Sequence, residues 1–175
     1  FLLFAFGIKA ALFPLFFWLP SAYHTPAFAV SAIFAGLLTK VGVYAMIRVF
    51  TLIIPLDDLF ANVLIWGAIL TMFVGALGAI AQKEVRMILS FLIVGHIGYM
   101  VLGLALGSTL ALTGAIFYLY HHILVKANLF MMAGAMHRVS GSSHLSAMGG
   151  LYAHRPMMAT VFLLLAFALV GFPPL

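Results

Sequence analysis

Cysteine is missing altogether from these 175 residues. Disulfides and thiolate-ligated iron–sulfur clusters are therefore excluded within the segment, and any electron transfer has to take place elsewhere. Charge is scarce too: 6% of residues are Asp, Glu, Lys or Arg, against about 25% in a soluble domain. An ordinary water-soluble fold is ruled out. Acids are scarcest of all. Asp57, Asp58 and Glu84 are the only three, and each sits in a polar break between apolar runs, so no span carries a hard anionic oxygen with which to hold a bare Na+. A starting Met, a charged leading region and a cleavage site are all lacking, so no signal peptide is read. The chain opens in mid-helix and stops at a helix break, GFPPL (171–175); both ends are expected to be cut.

What the chain has is apolar length. With 66% hydrophobic residues and a mean hydropathy of +1.28, it belongs in a bilayer. Since a span needs about 20 mostly apolar residues, about six stretches qualify. The expected fold is an all-α polytopic transmembrane bundle of about six spans: about Phe1 to Trp18, Ala27 to Phe50, Leu59 to Ile80, Met87 to Leu106, Thr109 to Met136 and Met157 to Val170. The first is expected to break at Pro14, which has no amide hydrogen and whose ring clashes with the carbonyl of Ala10. Leu19–Pro26, LPSAYHTP, reads as a turn because of its two prolines and small polar residues. The third span, with Gly67, Gly75 and Gly78, reads as scaffold built for close helix packing. Net charge is +5, but the positive residues are isolated in spans or sit in short loops, so the bias reports topology and no nucleic acid is expected as partner. Lys83 and Arg86 lie two spans from Arg138 and Arg155. The two pairs fall on one side, which the positive-inside rule makes cytoplasmic, while Asp57 and Asp58 fall on the other. Arg48, at the outer end of the second span, is the one discord.

Cations at mid-depth stand out against this background. The run FYLYHHILVKANLFM (117–131) carries Tyr118, His122 and Lys126 four residues apart, hence on one helical face. Lys126 has long apolar flanks, and a lysine at mid-depth costs roughly 2.5–3.5 kcal/mol on insertion scales. Lys9 lies five residues before Pro14, Lys40 just past the middle of the second span, and His96 in the middle of the fourth between Gly95 and Gly98. His121 points about 100° away from His122, so at most one of the two shares the face of Lys126. A row of groups that can load and release protons, joined by water, is what a proton relay requires; the candidate relay is Lys9, Lys40, His96, His122 and Lys126. His137, His144 and His154 are spaced irregularly without nearby carboxylates or cysteines, so a metal site is not expected. Two rival readings are weaker. A bis-histidine haem bundle through His96 and His122 lacks a second facing histidine pair, and a bare scaffold would not retain three mid-span lysines. No cofactor is expected.

The strings FPLFFWLPSAYHTP, AGLLTKVGVYAMIRVF, GAIAQKEVRMILSF, GHIGYM, FYLYHHILVKANLFMMAG and GFPPL together resemble the proton-translocating antiporter-like subunits. These occur in Mrp-type multisubunit Na+(K+)/H+ antiporters and in the membrane arm of respiratory complex I, and the wording is most similar to the D subunit of the Mrp type. The resemblance implies an integral protein of the bacterial cell membrane that moves protons, with other membrane subunits as partners and Na+ or K+ exchanged against them. The alternative is a subunit that pumps protons coupled to NADH oxidation elsewhere. By resemblance, residues 1–175 form one transmembrane proton-transporter domain. Lys9 would be the central lysine paired with a glutamate of an earlier helix, Lys40 the next relay lysine, and His122 with Lys126 the link outward. Where many relatives have LPDA this chain has LPSA, with Ser21 in place of a possible interfacial acid.

Overall fold

The computed structural model describes residues 1–54 and 56–172, and they are almost entirely helical. In chain order the helices are α1 (Leu2–Ala10), α2 (Trp18–His24), α3 (Phe28–Leu52), α4 (Asp58–Ile80), α5 (Val85–Ala105), α6 (Thr109–Ser140), α7 (Leu151–His154) and α8 (Pro156–Val170), with one 3-10 turn at Leu145–Ala147. Four of these, α3 to α6, are long and apolar enough to cross a membrane. The other two expected spans are present in lesser form. At 15 residues, α8 is about 22 Å long, short of a bilayer core of about 30 Å. The first span is divided into α1 and α2. Of the closing GFPPL string, Pro173, Pro174 and Leu175 lie outside the described residues, as does Pro55.

The break is longer than a kink at Pro14. Helix α1 stops at Ala10, Ala11 takes a left-handed conformation (φ 63), and Leu12 returns its amide to the Gly7 carbonyl at 2.9 Å, the pattern of a Schellman stop. Glycine normally fills that position, since a β-carbon there is crowded by the backbone; an alanine held in this conformation beside Lys9 is a point of local strain. The loosened backbone finds protein partners. The Phe13 amide donates to Thr71 Oγ1 of α4 at 2.9 Å, and the Trp18 indole donates to the Ile8 carbonyl at 2.8 Å. The expected turn at Leu19–Pro26 is corrected: Trp18–His24 is helix. Pro20 falls in the first turn of α2, where its missing amide hydrogen leaves no bond unmade, and only Thr25–Ala27 link it to α3.

Packing centres on α3, α5 and α6, with α4 laid along α5. Glycine makes the α4–α5 contact possible, as expected of a scaffold helix. A β-carbon built on Gly75 would collide with the Gly95 amide nitrogen, and one on Gly98 would stand 2.7 Å from the Ala68 carbonyl oxygen. On the far side of the core, a β-carbon on Gly42 of α3 would stand 2.7 Å from the Ala10 nitrogen and 3.0 Å from the Lys9 carbonyl carbon. The end of α1 is thereby held against α3.

The basic loops gather at one end of the bundle. His24 Nε2 and Glu84 Oε2 are 2.8 Å apart. Arg86 donates to the carbonyls of His24 at 2.8 Å and Pro26 at 2.7 Å, while its guanidinium covers the Phe28 ring at 3.5 Å, a cation–π contact. Residues 83–85 pair with 143–145 through Val85 N–H to Ser143 O (3.1 Å) and Leu145 N–H to Lys83 O (3.0 Å). Helix α6 runs to Ser140, beyond the expected end at Met136, which carries His137 within 3.0 Å of Ser143 Oγ. At the other end, Phe50, Leu56, Leu104 and Leu112 meet around one cleft, next to the start of α4 with Asp57 and Asp58.

Overpacking a well-filled contact costs typically about 1–3 kcal/mol. Gly75→Ala should therefore lower the thermal unfolding midpoint of the detergent-purified protein by several degrees. Gly114→Ala, whose added methyl group meets nothing within 4 Å, should leave it unchanged or raised. Equal midpoints for the two variants would mean that α4 and α5 do not touch at Gly75.

Candidate functional site

Four of the five expected relay residues come together between α3, α5 and α6. Lys40 is 2% exposed, and His122 and Lys126 are fully buried. His96, partly buried, reaches them from α5, its ring centroid 5.0 Å from that of His122. The helical spacing explains the grouping. His122 and Lys126 share one face of α6 because they are four residues apart, and His121, one residue off that face, stays half-exposed. Small residues let α3 approach: a β-carbon on Gly36 would still fit, 3.6 Å from the Ile123 carbonyl and 3.7 Å from the Ala127 side chain. Lys40 and Lys126 are thus carried by two helices in direct contact.

Lys9 is not part of this group. Its side chain is exposed on the outer surface of α1, although its backbone abuts Gly42 two residues from Lys40.

The hydrogen-bond inventory of the cluster is incomplete. The Lys40 ammonium donates to the Ala35 carbonyl of its own helix. Among the described residues, both ring nitrogens of His122, Lys126 Nζ and Thr39 Oγ1 are buried without a partner. Buried polar groups are nearly always satisfied by protein or by ordered water, and an unsatisfied one costs about 1–3 kcal/mol, more if charged. A polar cluster with this many free donors and acceptors is a place for water. No carboxylate accompanies it: Glu84 is bound to His24 in the basic loop region, and Asp57 and Asp58 lie at the start of α4, as its N-cap and first residue. The His96 and His122 rings are tilted by 42° to each other.

Two partners went unassigned in the sequence. Tyr118 Oη shares a hydrogen bond with His96 Nδ1, and its ring lies 5.9 Å from His122 by centroids. The spacing from His122 placed Tyr118 on the right face, but only the register of α5 against α6 brings it to His96. Thr39 is fully buried beside Lys40 in sequence; nothing in the residue pattern marked it out. On the far side of His96, a cleft of about 700 Å³ opens between α5, α6 and α8, lined by His96, Tyr99 and Tyr118 among apolar residues.

Known proteins place this arrangement in context. The family described as NADH:quinone oxidoreductase/Mrp antiporter, TM, matches residues 1–175. The Na(+)/H(+) antiporter D subunit of Alkalihalophilus pseudofirmus is 50% identical over 171 residues, covering 97% of this chain and 35% of the relative. That of Bacillus subtilis is 43% identical over 175 residues, covering 99% of this chain and 36% of the relative. The chain therefore spans about a third of the length of these curated relatives. Among solved structures, a chain of the Mrp complex from a Dietzia species superposes with a TM-score of 0.92 at 41% identity, covering 98% of this chain and 32% of that one. A chain of the membrane-bound sulfane sulfur reductase, an archaeal respiratory membrane complex, gives 0.91 at 28% identity, covering 98% and 36%. A multi-pass membrane bundle matched from its first residue to its last, this chain belongs to the NADH:quinone oxidoreductase/Mrp antiporter transmembrane family.

Proposed function

We propose that this chain is the proton-translocating core of the D-type subunit in an Mrp-type multisubunit Na+(K+)/H+ antiporter of the bacterial cell membrane, one transmembrane domain over residues 1–175 working with other membrane subunits. The observation that carries the reading is the acid-free cluster in which Lys40, Lys126 and His122 are buried with His96 packed against them, the nitrogens of His122 and Lys126 having no protein partner. Two ammonium groups close to each other away from water repel strongly, so a proton on one disfavours a proton on the other. Protons entering at one end are then passed along singly, through water and the two imidazoles. A cation such as Na+ would find no carboxylate there and takes a different route through the complex. Identities of 40–50% to antiporter subunits favour an antiporter parent. The likeness to an archaeal respiratory complex supports the second reading, a redox-driven pump of the complex I type.

Lys9 has a separate part in this scheme. Exposed on α1 and anchored through Gly42 beside the strained Ala11, it is available to pair with a carboxylate on another helix.

Two measurements test these proposals. In the full-length subunit within its complex, Lys126→Ala and Lys9→Ala should each reduce coupled cation–proton exchange at least about tenfold, since a positioned proton-transfer group typically contributes roughly 10²–10⁴-fold. Insertion should be unharmed, because a mid-depth charge is removed. Normal exchange by both variants would sink the relay. For orientation, the residue to probe is Ser142, in the basic loop end of the bundle. Ser142→Cys should react with an impermeant thiol reagent from the cytoplasmic side alone; reaction from outside would invert the topology.

A further inference from the structure

The geometry points to Tyr118 as a relay residue in its own right, the hydroxyl through which protons pass between water in the α5–α6–α8 cleft and His96. This inference rests on the proton-relay reading above and adds an element to it. Three observations meet at this residue. The phenol oxygen of Tyr118 is hydrogen-bonded to His96 Nδ1. Tyr118 and His96 both line the cleft of about 700 Å³, which Tyr99, 57% exposed, also borders. Behind His96, within 5.0 Å by ring centroids, stands His122, fully buried, with neither nitrogen bonded to protein. The cleft ends at Tyr118 and His96, and the buried cluster begins there.

A phenol can hold one hydrogen bond as donor and accept others on its lone pairs, so it can transmit a proton without becoming charged. A proton from cleft water joins the phenol oxygen as the phenol's own proton passes to His96 Nδ1. Tyr118 is again neutral, and His96 has gained one proton. A half-turn of the protonated ring then carries the new Nδ1 proton to the side of His122, where water takes it, and the return half-turn leaves His96 in its starting tautomer. One proton enters and one leaves; the sequence runs equally well in reverse. Phenylalanine at 118 would keep the ring, and with it the packing against His96, His121 and His122, but would lack the oxygen that makes the transfer. The titratable groups facing Tyr118 are His96 and Tyr99 of α5 and His121 and His122 of its own helix; α8 presents only Leu169 and Val170 to the cleft.

The test uses the full-length subunit assembled in its complex and reconstituted in liposomes, with Lys126→Ala carried in parallel. Tyr118→Phe should assemble normally and lose at least about tenfold in cation-coupled proton flux. Replacing Tyr118 with 3,5-difluorotyrosine, which keeps the hydroxyl but makes it more acidic, should move the pH profile of transport toward acid. Wild-type flux in Tyr118→Phe, with Lys126→Ala inactive, overturns the role of Tyr118 and leaves the relay standing. Wild-type flux in both removes the relay and this inference with it. Should Tyr118→Phe fail to assemble, the difluorotyrosine protein decides alone: an unmoved profile means the hydroxyl only orients His96, and the inference is wrong.

Discussion

An ammonium group held away from water without a carboxylate is the constraint on which this structure turns. Lys40 and Lys126 are both buried, and breaking up a buried charge arrangement by leaving one member unpaired costs about 3–5 kcal/mol. A protein tolerates that where neighbouring polar groups or ordered water can reach the nitrogen. The surrounding features follow from this need. Two histidines lie within reach, and three nitrogens of the cluster, both of His122 and Lys126 Nζ, are buried without a protein partner. The helices around them are close-packed through glycine, so the polar volume stays confined to a narrow core.

The break in the first span belongs to the same economy of backbone bonds. Stopping a helix at membrane depth exposes amides and carbonyls that lipid cannot satisfy. Thr71 and Trp18 take up two of these groups, so the break is sealed by protein and its strain is concentrated at Ala11. Lys9 stands one turn or less from that point, on the surface and not in the core. Any helix approaching α1 from outside would therefore meet a lysine whose backbone is fixed and whose side chain is free to turn.

Much of this was legible in the residues, for identifiable reasons. Hydropathy alone marked the runs that became α3 to α6, because a span must be apolar for about 20 residues whatever it packs against. The burial of His122 with Lys126, and the half-exposure of His121, followed from helical spacing. Gly75 announced a close contact, although its partner Gly95 could not be named without the register of α5. Less could be seen where tertiary contacts decide. Proline in LPSAYHTP suggested a turn, but Pro20 lies where a helix tolerates it, and buried Tyr23, donating to the Phe34 carbonyl at 2.9 Å, supports the helical form. Lys9 was grouped with the other lysines by depth; which side of α1 faces the core depends on Gly42, two helices away in sequence. The Tyr118–His96 bond needed both helices in place.

The pairing of residues 83–85 with 143–145 bears on how the bundle can move. Helices α5 and α6 are joined at one end by the tight turn at Gly107–Ser108 and at the other by two backbone hydrogen bonds from chain on either side of them. They form a frame clamped at both ends, and a frame of that kind resists splaying. Large separation of these two helices is then disfavoured. What remains free inside the clamp is small: rotation of imidazole and phenol rings, swinging of lysine stems, and entry or exit of single water molecules. Such motions take nanoseconds in exposed residues and longer when packed, so any larger and slower displacement falls to elements outside the frame, with α1 and its strained end the part of this chain best placed to take it up.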